Sequence, residues 1–261
     1  MRHFFQIAAV ALLLAGCTTA TPPKGPSPEE VAEMAARDAI AGNLASIADA
    51  NRPAEDVARD AARNPAAMLA FAGVKPGDKV VDFIPGGGYF TRLFAKAVGA
   101  NGHVYGVAPP PRKPDEPAPL SKIVGDPAYP NVSVVPLTGM LSVPEPVDLV
   151  WTAQNYHDLH LAQFKLDVVA MNKAVFDALK PGGVYVIVDH AALPGSGLEV
   201  ADKLHRIDPA IVKQEVIAAG FDYEDESTLL RNDTDDHTLI VFDPKVRGKT
   251  DQFVFRFRKP L

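Results

Sequence analysis

An α/β fold with a mostly parallel sheet covered by helices on both faces is the architecture this sequence predicts, on three observations. Short apolar, β-favouring runs between residues 79 and 257 alternate with longer segments of helical periodicity. The first run leads through a glycine-rich turn straight into a helical segment. The helix before the fifth run ends in the breaker Lys180-Pro181-Gly182-Gly183, which feeds directly into a strand.

The 261 residues are enough for one α/β domain with a sizeable core. The first stretch is of another kind. Met1-Arg2-His3 is a short basic start and Phe4 to Leu14 an apolar run too short to span a bilayer stably. Residues 1–16 read as a signal peptide and 17–28 as a polar, proline-rich, extended linker. Leu14-Ala15-Gly16-Cys17 resembles the lipobox of bacterial lipoproteins. That resemblance implies cleavage before Cys17, lipidation of Cys17 and anchorage in the bacterial cell envelope. With Thr18 and Thr19 after the cysteine, the expected place is the outer membrane, facing the periplasm. The alternative is a buried apolar helix with an incidental cysteine. Cys17 is the only cysteine, so its lipidation leaves no thiol for a nucleophile or a thiolate metal site.

Residues 29–261 are expected to form one domain. Ser27 is placed to cap a helix opening at Pro28-Glu29-Glu30, with Val31, Met34 and Ala35 at helical spacing. A second helix is expected from about Pro53 through Ala62, and a third from Pro65 to Ala72, stopped by Gly73. These N-terminal helices should pack beside the sheet. Lys79 to Ile84 is the first strand. Tyr89 to Val98 is a helix with Phe90, Leu93, Phe94 and Ala97 on one face. Strands follow at His103–Val107, Val132–Pro136, Val147–Thr152 and Val184–Val188, with a proline-rich surface loop at Pro109–Pro119 and a helix at Phe164–Leu179. Asp208 caps a further helix, Pro209 to Ala219.

The formal net charge is -6, and no cluster of Lys or Arg offsets it. A phosphate-backbone footprint is absent, which argues against a nucleic-acid partner.

Chemistry concentrates where parallel strands end. A strand, a glycine turn and a helix form a ligand site because glycine lets the backbone approach closely and a helix start offers free N–H groups. The turn here is Asp82-Phe83-Ile84-Pro85-Gly86-Gly87-Gly88-Tyr89. The fourth strand ends in Gln154-Asn155-Tyr156-His157-Asp158-Leu159-His160, and the fifth in Asp189-His190. His205-Arg206-Ile207-Asp208 is placed to close over the same face.

These motifs, in this order, resemble the class I S-adenosylmethionine (SAM) dependent methyltransferases. Asp82, Gly86 and Gly88 match that family's acidic residue and alternate glycines, while Ile84 stands at the first glycine's place. Asp148-Leu149-Val150 resembles its fourth strand, Leu179 to Gly183 the turn before the fifth, and Ala218-Ala219-Gly220-Phe221 the turn before the sixth. Phe253 to Phe257 resembles its antiparallel seventh strand. The resemblance covers about Asp56 to the end and implies a Rossmann-like, seven-stranded sheet with SAM held by Asp82, Pro85, Gly86, Gly87, Gly88 and Asn155. The family's ribose-binding carboxylate has no counterpart: the second strand runs out into Ala108-Pro109.

The resemblance implies methyl transfer to a small-molecule substrate, with Tyr156, His157, Asp158 and His190 as catalytic candidates and His157 or His190 as general base. A competing reading gives His157, His160, His190 and His205, with Asp158 and Asp189, to a divalent metal. A third leaves some of them as helix caps and loop hydrogen bonds. The alternative function is an envelope lipoprotein whose methyltransferase fold binds another ligand or a metal without SAM-dependent activity. The segment Leu229–Asp251 reads as an insertion between the last two strands, either a lid or substrate wall or a plain surface hairpin, with His237 to Phe242 as an added strand.

Overall fold

The computed structural model describes residues 27–261 apart from 112 and 114. The signal peptide expected over 1–16, the Cys17 lipidation site and most of the 17–28 linker lie outside the described residues. Among the described residues no helix is long and apolar enough to cross a membrane.

Seven strands form one sheet: β1 (Lys79–Phe83), β2 (His103–Ala108), β3 (Val132–Pro136), β4 (Val147–Ala153), β5 (Leu179–His190), β6 (Asp222–Ser227) and β7 (Gln252–Arg258). Their order is β3-β2-β1-β4-β5-β7-β6. The first five run parallel, and β7 lies antiparallel between β5 and β6. Successive residues of β1 point to opposite faces, and both faces are buried. Val80 joins Phe90, Phe94, Trp151 and Val254 on one side. Val81 joins Val150, Val175, Tyr185 and Phe257 on the other. A strand buried on both faces needs a continuous apolar run, and this is what Val80-Val81-Asp82-Phe83 supplies apart from its aspartate.

Among the described residues eight α-helices surround the sheet: α1 (Pro28–Ile47), α2 (Ala54–Val57), α3 (Asp60–Arg63), α4 (Pro65–Ala72), α5 (Tyr89–Val98), α6 (Val168–Ala178), α7 (Glu199–Leu204) and α8 (Pro209–Ala218). Ser27 and Glu30 form a reciprocal capping box at the start of α1. That helix packs over α5 and α4, so α5 is buried on nearly all sides between α1 and the sheet. Asp208 accepts from the Ala210 N–H, and Pro209 occupies the first turn of α8.

Four elements depart from the sequence expectation. The helix expected over Pro53–Ala62 is two short helices, α2 and α3, because the hydrogen bonds tighten at Ala58–Arg59, where the Arg59 N–H donates to the Asp56 carbonyl at 3.0 Å and Arg59 sits at φ -92° and ψ -7°. The helix expected from Phe164 begins at Val168: Lys165 takes a left-handed φ of 50°, and the Asp167 carboxylate caps the Ala170 N–H at 3.0 Å. The breaker Lys180–Gly183 lies inside β5 as a bulge, with Leu179 opposite Val147 and Val184 opposite Leu149. His237–Phe242 is not a strand. Its backbone is held instead by side chains: the Asp235 carboxylate accepts from the His237 N–H, and the buried Arg206 guanidinium donates to the Leu239 carbonyl.

Candidate functional site at the carboxyl edge of the sheet

The strand order reverses between β1 and β4, and the crevice there opens at their carboxyl ends. The glycine turn fills its floor. Ile84 holds a left-handed φ of 58°, costly for a β-branched residue and normally left to glycine. It is pinned from two sides: its N–H donates to the Val107 carbonyl at 2.8 Å, and its carbonyl accepts from the Asn155 amide at 2.8 Å. The turn therefore keeps its shape although the first glycine is missing. Gly88 is closely covered, with a Cβ there meeting Ile123 at 2.3 Å. Gly87 is different. Its φ is accessible to any residue, and a Cβ there would meet nothing within 4 Å. What glycine preserves at position 87 is room above the turn.

That room is two cavities joined by a third. One, of about 560 Å³, lies over Ile84–Gly87 and runs along Ala108–Pro111 and the loop up to Ile123. Its walls mix apolar surface from Ile84, Ala108 and the prolines with charged groups, the carboxylates of Glu55 and Glu116 and the cations of Arg59, Arg92 and Lys122. A carboxylate missing from the end of β2 is thus supplied to the same space by α2 and the proline-rich loop. The second, of about 630 Å³, is lined by Arg59, Arg63, Gln154, His190, Phe242 and Arg247 among others. A pocket of about 130 Å³ between them is bounded by Asp82, Gly86, Gly87, Gln154, Asn155 and the same two arginines, Arg59 and Arg63. Val241, Phe242, Arg247 and Gly248 place the 229–251 segment as a wall of the larger cavity.

Arg59 stands at the N-cap of α3 and Arg63 is its last residue, and Asp56, Arg59, Asp60 and Arg63 recur at helical spacing through the bend between α2 and α3. The acidic members fasten these helices down. Asp56 pairs with Arg92 at 2.8 Å, both buried, and Arg92 also donates to the Gly87 carbonyl. Asp60 accepts from Arg52 and from the Tyr89 hydroxyl. The basic members are left facing the cavities. Arg63 lies 4.7 Å from the Tyr89 ring centre and donates to Gln154 at 2.8 Å. Burial, with Arg59 beside it, pulls its guanidinium down to about 10, still charged at neutral pH. Among the described residues no carboxylate pairs with Arg59, Arg63 or Arg247. Nothing in the sequence marked these arginines, because only tertiary packing brings α3 to the glycine turn.

The residues singled out from sequence divide. Asp82 lies at the floor of the joining pocket, where burial lifts its carboxyl to about 7 against the stabilising bond from the Thr91 hydroxyl at 2.6 Å. Pro85, Gly86 and Gly87 line the smaller and joining cavities. Asn155 spends its amide N–H groups on the Ile84 and Ala153 carbonyls, so it fixes the turn against β4. His190 reaches the larger cavity, its Nδ1 on the Thr250 hydroxyl at 2.7 Å. Burial pushes this imidazole down to about 4, so it is neutral at pH 7. Tyr156 turns the other way. Gln154 takes a left-handed φ of 63°, which swings the next residues round, and the Tyr156 ring enters the core. There its hydroxyl donates to Glu215 at 2.8 Å and accepts from Asn172 at 2.7 Å. Burial lifts that hydroxyl well above its usual range, and Tyr156 lines neither large cavity.

His157 and Asp158 stand behind the cavity wall. The His157 Nδ1 faces the fully buried Asp189 carboxylate at 2.8 Å, and its Nε2 faces the His205 Nδ1 at 3.2 Å. Burial works against its charged form, but the Asp189 charge and hydrogen bond, with Asp158, raise it above the ordinary histidine value. Of the six residues considered together for a metal, His157, Asp158 and His205 converge. His160 leaves the group for Glu215 at 3.1 Å, and His190 for Thr250.

No protein-family model and no curated protein matches the chain. Solved structures do. A SAM-dependent methyltransferase from Aquifex aeolicus is 19% identical with a TM-score of 0.53, over 74% of this chain and 87% of that one. An S-adenosylmethionine-dependent methyltransferase from Mesorhizobium loti is 18% identical with a TM-score of 0.52, over 76% and 98%. The [4+2]-cyclase SpnF is 15% identical with a TM-score of 0.53, over 92% and 98%. At these identities the likeness is one of architecture. The chain has the Rossmann-like, seven-stranded fold of the class I methyltransferases, and chemistry must be argued from its own residues.

Proposed function

We propose that this protein is a SAM-dependent methyltransferase acting on a small anionic molecule. The observation that carries the reading is the pair of cavities on either side of the Asp82–Gly87–Asn155 pocket, one setting Glu55 and Glu116 beside apolar walls and the Arg59, Arg92 and Lys122 cations, the other lined with Arg59, Arg63 and Arg247. The residues fit the cofactor. Ile84, Pro85 and Ala108 offer apolar surface to a base, Glu55 and Glu116 acceptors for ribose hydroxyls, and Asp82 with Arg63 partners for an amino-acid end. Bound SAM supplies a methyl group on a positively charged sulfur. The chain's own contribution is positioning. Arg63 and Arg247 attract and orient an acidic substrate, and Gln154, tied to Gln252 at 3.0 Å, holds the junction. His190 held near 4 is a weak base, so its part is a hydrogen bond from a neutral ring rather than full proton abstraction.

A second reading rests on the same arginines and on Ala108. Two guanidinium groups at the turn oppose a sulfonium, which favours a different, anionic ligand and no methyl transfer. Calorimetric titration of the purified protein separates the two. Measurable SAM affinity, reduced tenfold or more in Gly87→Val with an unchanged melting temperature, is the expected result for a methyltransferase. In the same assay small carboxylates or phosphates should bind more weakly at high salt, and about ten- to a hundredfold more weakly in Arg63→Gln. No SAM binding at millimolar concentration, with anion binding intact, selects the second reading.

Anchorage through lipid at Cys17, in the outer membrane facing the periplasm, belongs to this proposal on the lipobox pattern alone. A mature N-terminus whose mass lacks acyl chains would remove it. With a net charge of -6, no nucleic-acid partner is part of the proposal.

A further inference from the structure

We infer that His157, Asp158 and His205 form a binding site for a divalent first-row transition metal, with zinc its best-suited occupant, set in the wall beside the larger cavity. The geometry carries it. The His157 Nε2 lies 3.2 Å from the His205 Nδ1 and 3.3 Å from the Asp158 Oδ1, and the last two atoms are 3.7 Å apart. A tetrahedral ion with bonds of about 2.0–2.1 Å holds its ligand atoms roughly 3.3 Å apart. The three atoms therefore already outline one face of such a polyhedron, and two imidazoles with one carboxylate are a ligand set zinc accepts.

The surroundings orient the ligands. The His157 Nδ1 donates to the Asp189 Oδ1 at 2.8 Å, which directs the Nε2 lone pair at the cluster. Asp189 is itself fixed by the His157 and His190 backbone N–H groups. A carboxylate behind a histidine in this way both sets its tautomer and strengthens it as a ligand. His205 ends α7 with a left-handed φ of 54°, a strained conformation that delivers its ring to the site. His157 is buried, whereas the His205 and Asp158 side chains are about a quarter exposed, so the remaining coordination position opens to solvent. An ion there would tie the turn after β4 to the end of α7, behind Phe242, whose ring packs 4.9 Å from that of His205. The site does not depend on the methyl-transfer reading.

The test is zinc titration of the chelator-treated protein against a chromophoric competitor, with metal content by mass spectrometry and the visible spectrum of the cobalt-substituted form. The expected result is one tight equivalent. His205→Ala and Asp158→Asn, both at partly exposed positions, should each weaken it tenfold or more and abolish the tetrahedral cobalt absorption. Asp189→Asn should weaken it about 10–100-fold while the three ligands remain. No tight equivalent, or one that persists unchanged in both ligand variants, overturns the proposal and leaves a hydrogen-bonded histidine pair.

Discussion

Replacing Arg206 by alanine is expected to destabilise the protein by about 3–5 kcal/mol, because it strands a buried charge. Arg206 has no solvent exposure. Its guanidinium grips Asp235 with two bonds of 2.8 and 3.0 Å and donates to the Ala191 and Leu239 carbonyls. Asp235 in turn accepts from the backbone N–H groups of Asp251 and His237. One side chain thus joins the end of β5 to the segment that walls the larger cavity. Urea denaturation measures the loss, and hydrogen exchange should show it as faster opening of residues 235–251. Replacing both partners, as in Arg206→Met with Asp235→Leu, should not restore stability, since the buried Asp251 N–H and the part-buried His237 N–H then lose their acceptor. A loss below about 1 kcal/mol for the alanine variant would mean that water reaches this pair freely.

Asp82→Asn is expected to change the pH dependence of stability rather than its value at one pH. Burial holds the Asp82 carboxyl near 7, above its ordinary 3.8. The stability it contributes is complete below 3.8. It is lost as pH rises toward 7, where the unfolded chain has released a proton that the folded one retains. Over that window the loss is on the order of 4 kcal/mol. His190 has the opposite sign. Its folded value near 4 lies below the ordinary 6.5, so its contribution is complete above 6.5 and is lost as pH falls toward 4, on the order of 3 kcal/mol. The two slopes largely offset each other in the native protein. In Asp82→Asn the amide oxygen still accepts from Thr91, and the histidine slope is opposed only by the smaller one of Asp78, which burial lifts to about 6. The variant should therefore gain on the native protein by several kcal/mol between pH 4 and pH 8 in denaturant titrations. A difference that does not move with pH would show that Asp82 ionises as an ordinary carboxyl.

Local signals made the sheet legible. Lys79–Phe83, Val132–Pro136 and Val147–Ala153 are apolar runs bounded by turns, and the start of α8 follows from Asp208 and Pro209. What escaped was settled at long range. The break at Ala58–Arg59 has neither Gly nor Pro to announce it, and the apolar run Leu239–Phe242 mimics a strand because the Arg206 that fixes its backbone lies 33 residues before Leu239. At the site, the turn residues were readable from the glycines. Tyr156 was misplaced by a single dihedral at Gln154, and Arg59 and Arg63 became site residues only through the Asp56–Arg92 and Asp60–Tyr89 links.

Ile84 bears on selectivity. A backbone bent to a glycine's φ would accept a bare hydrogen at this position with less strain, so the side chain is what the chain gains there. Ile84 lines both the smaller cavity and the joining pocket while packing against the core below the turn. A ligand spanning the two chambers passes a branched alkyl group at the point where a glycine would offer it bare backbone.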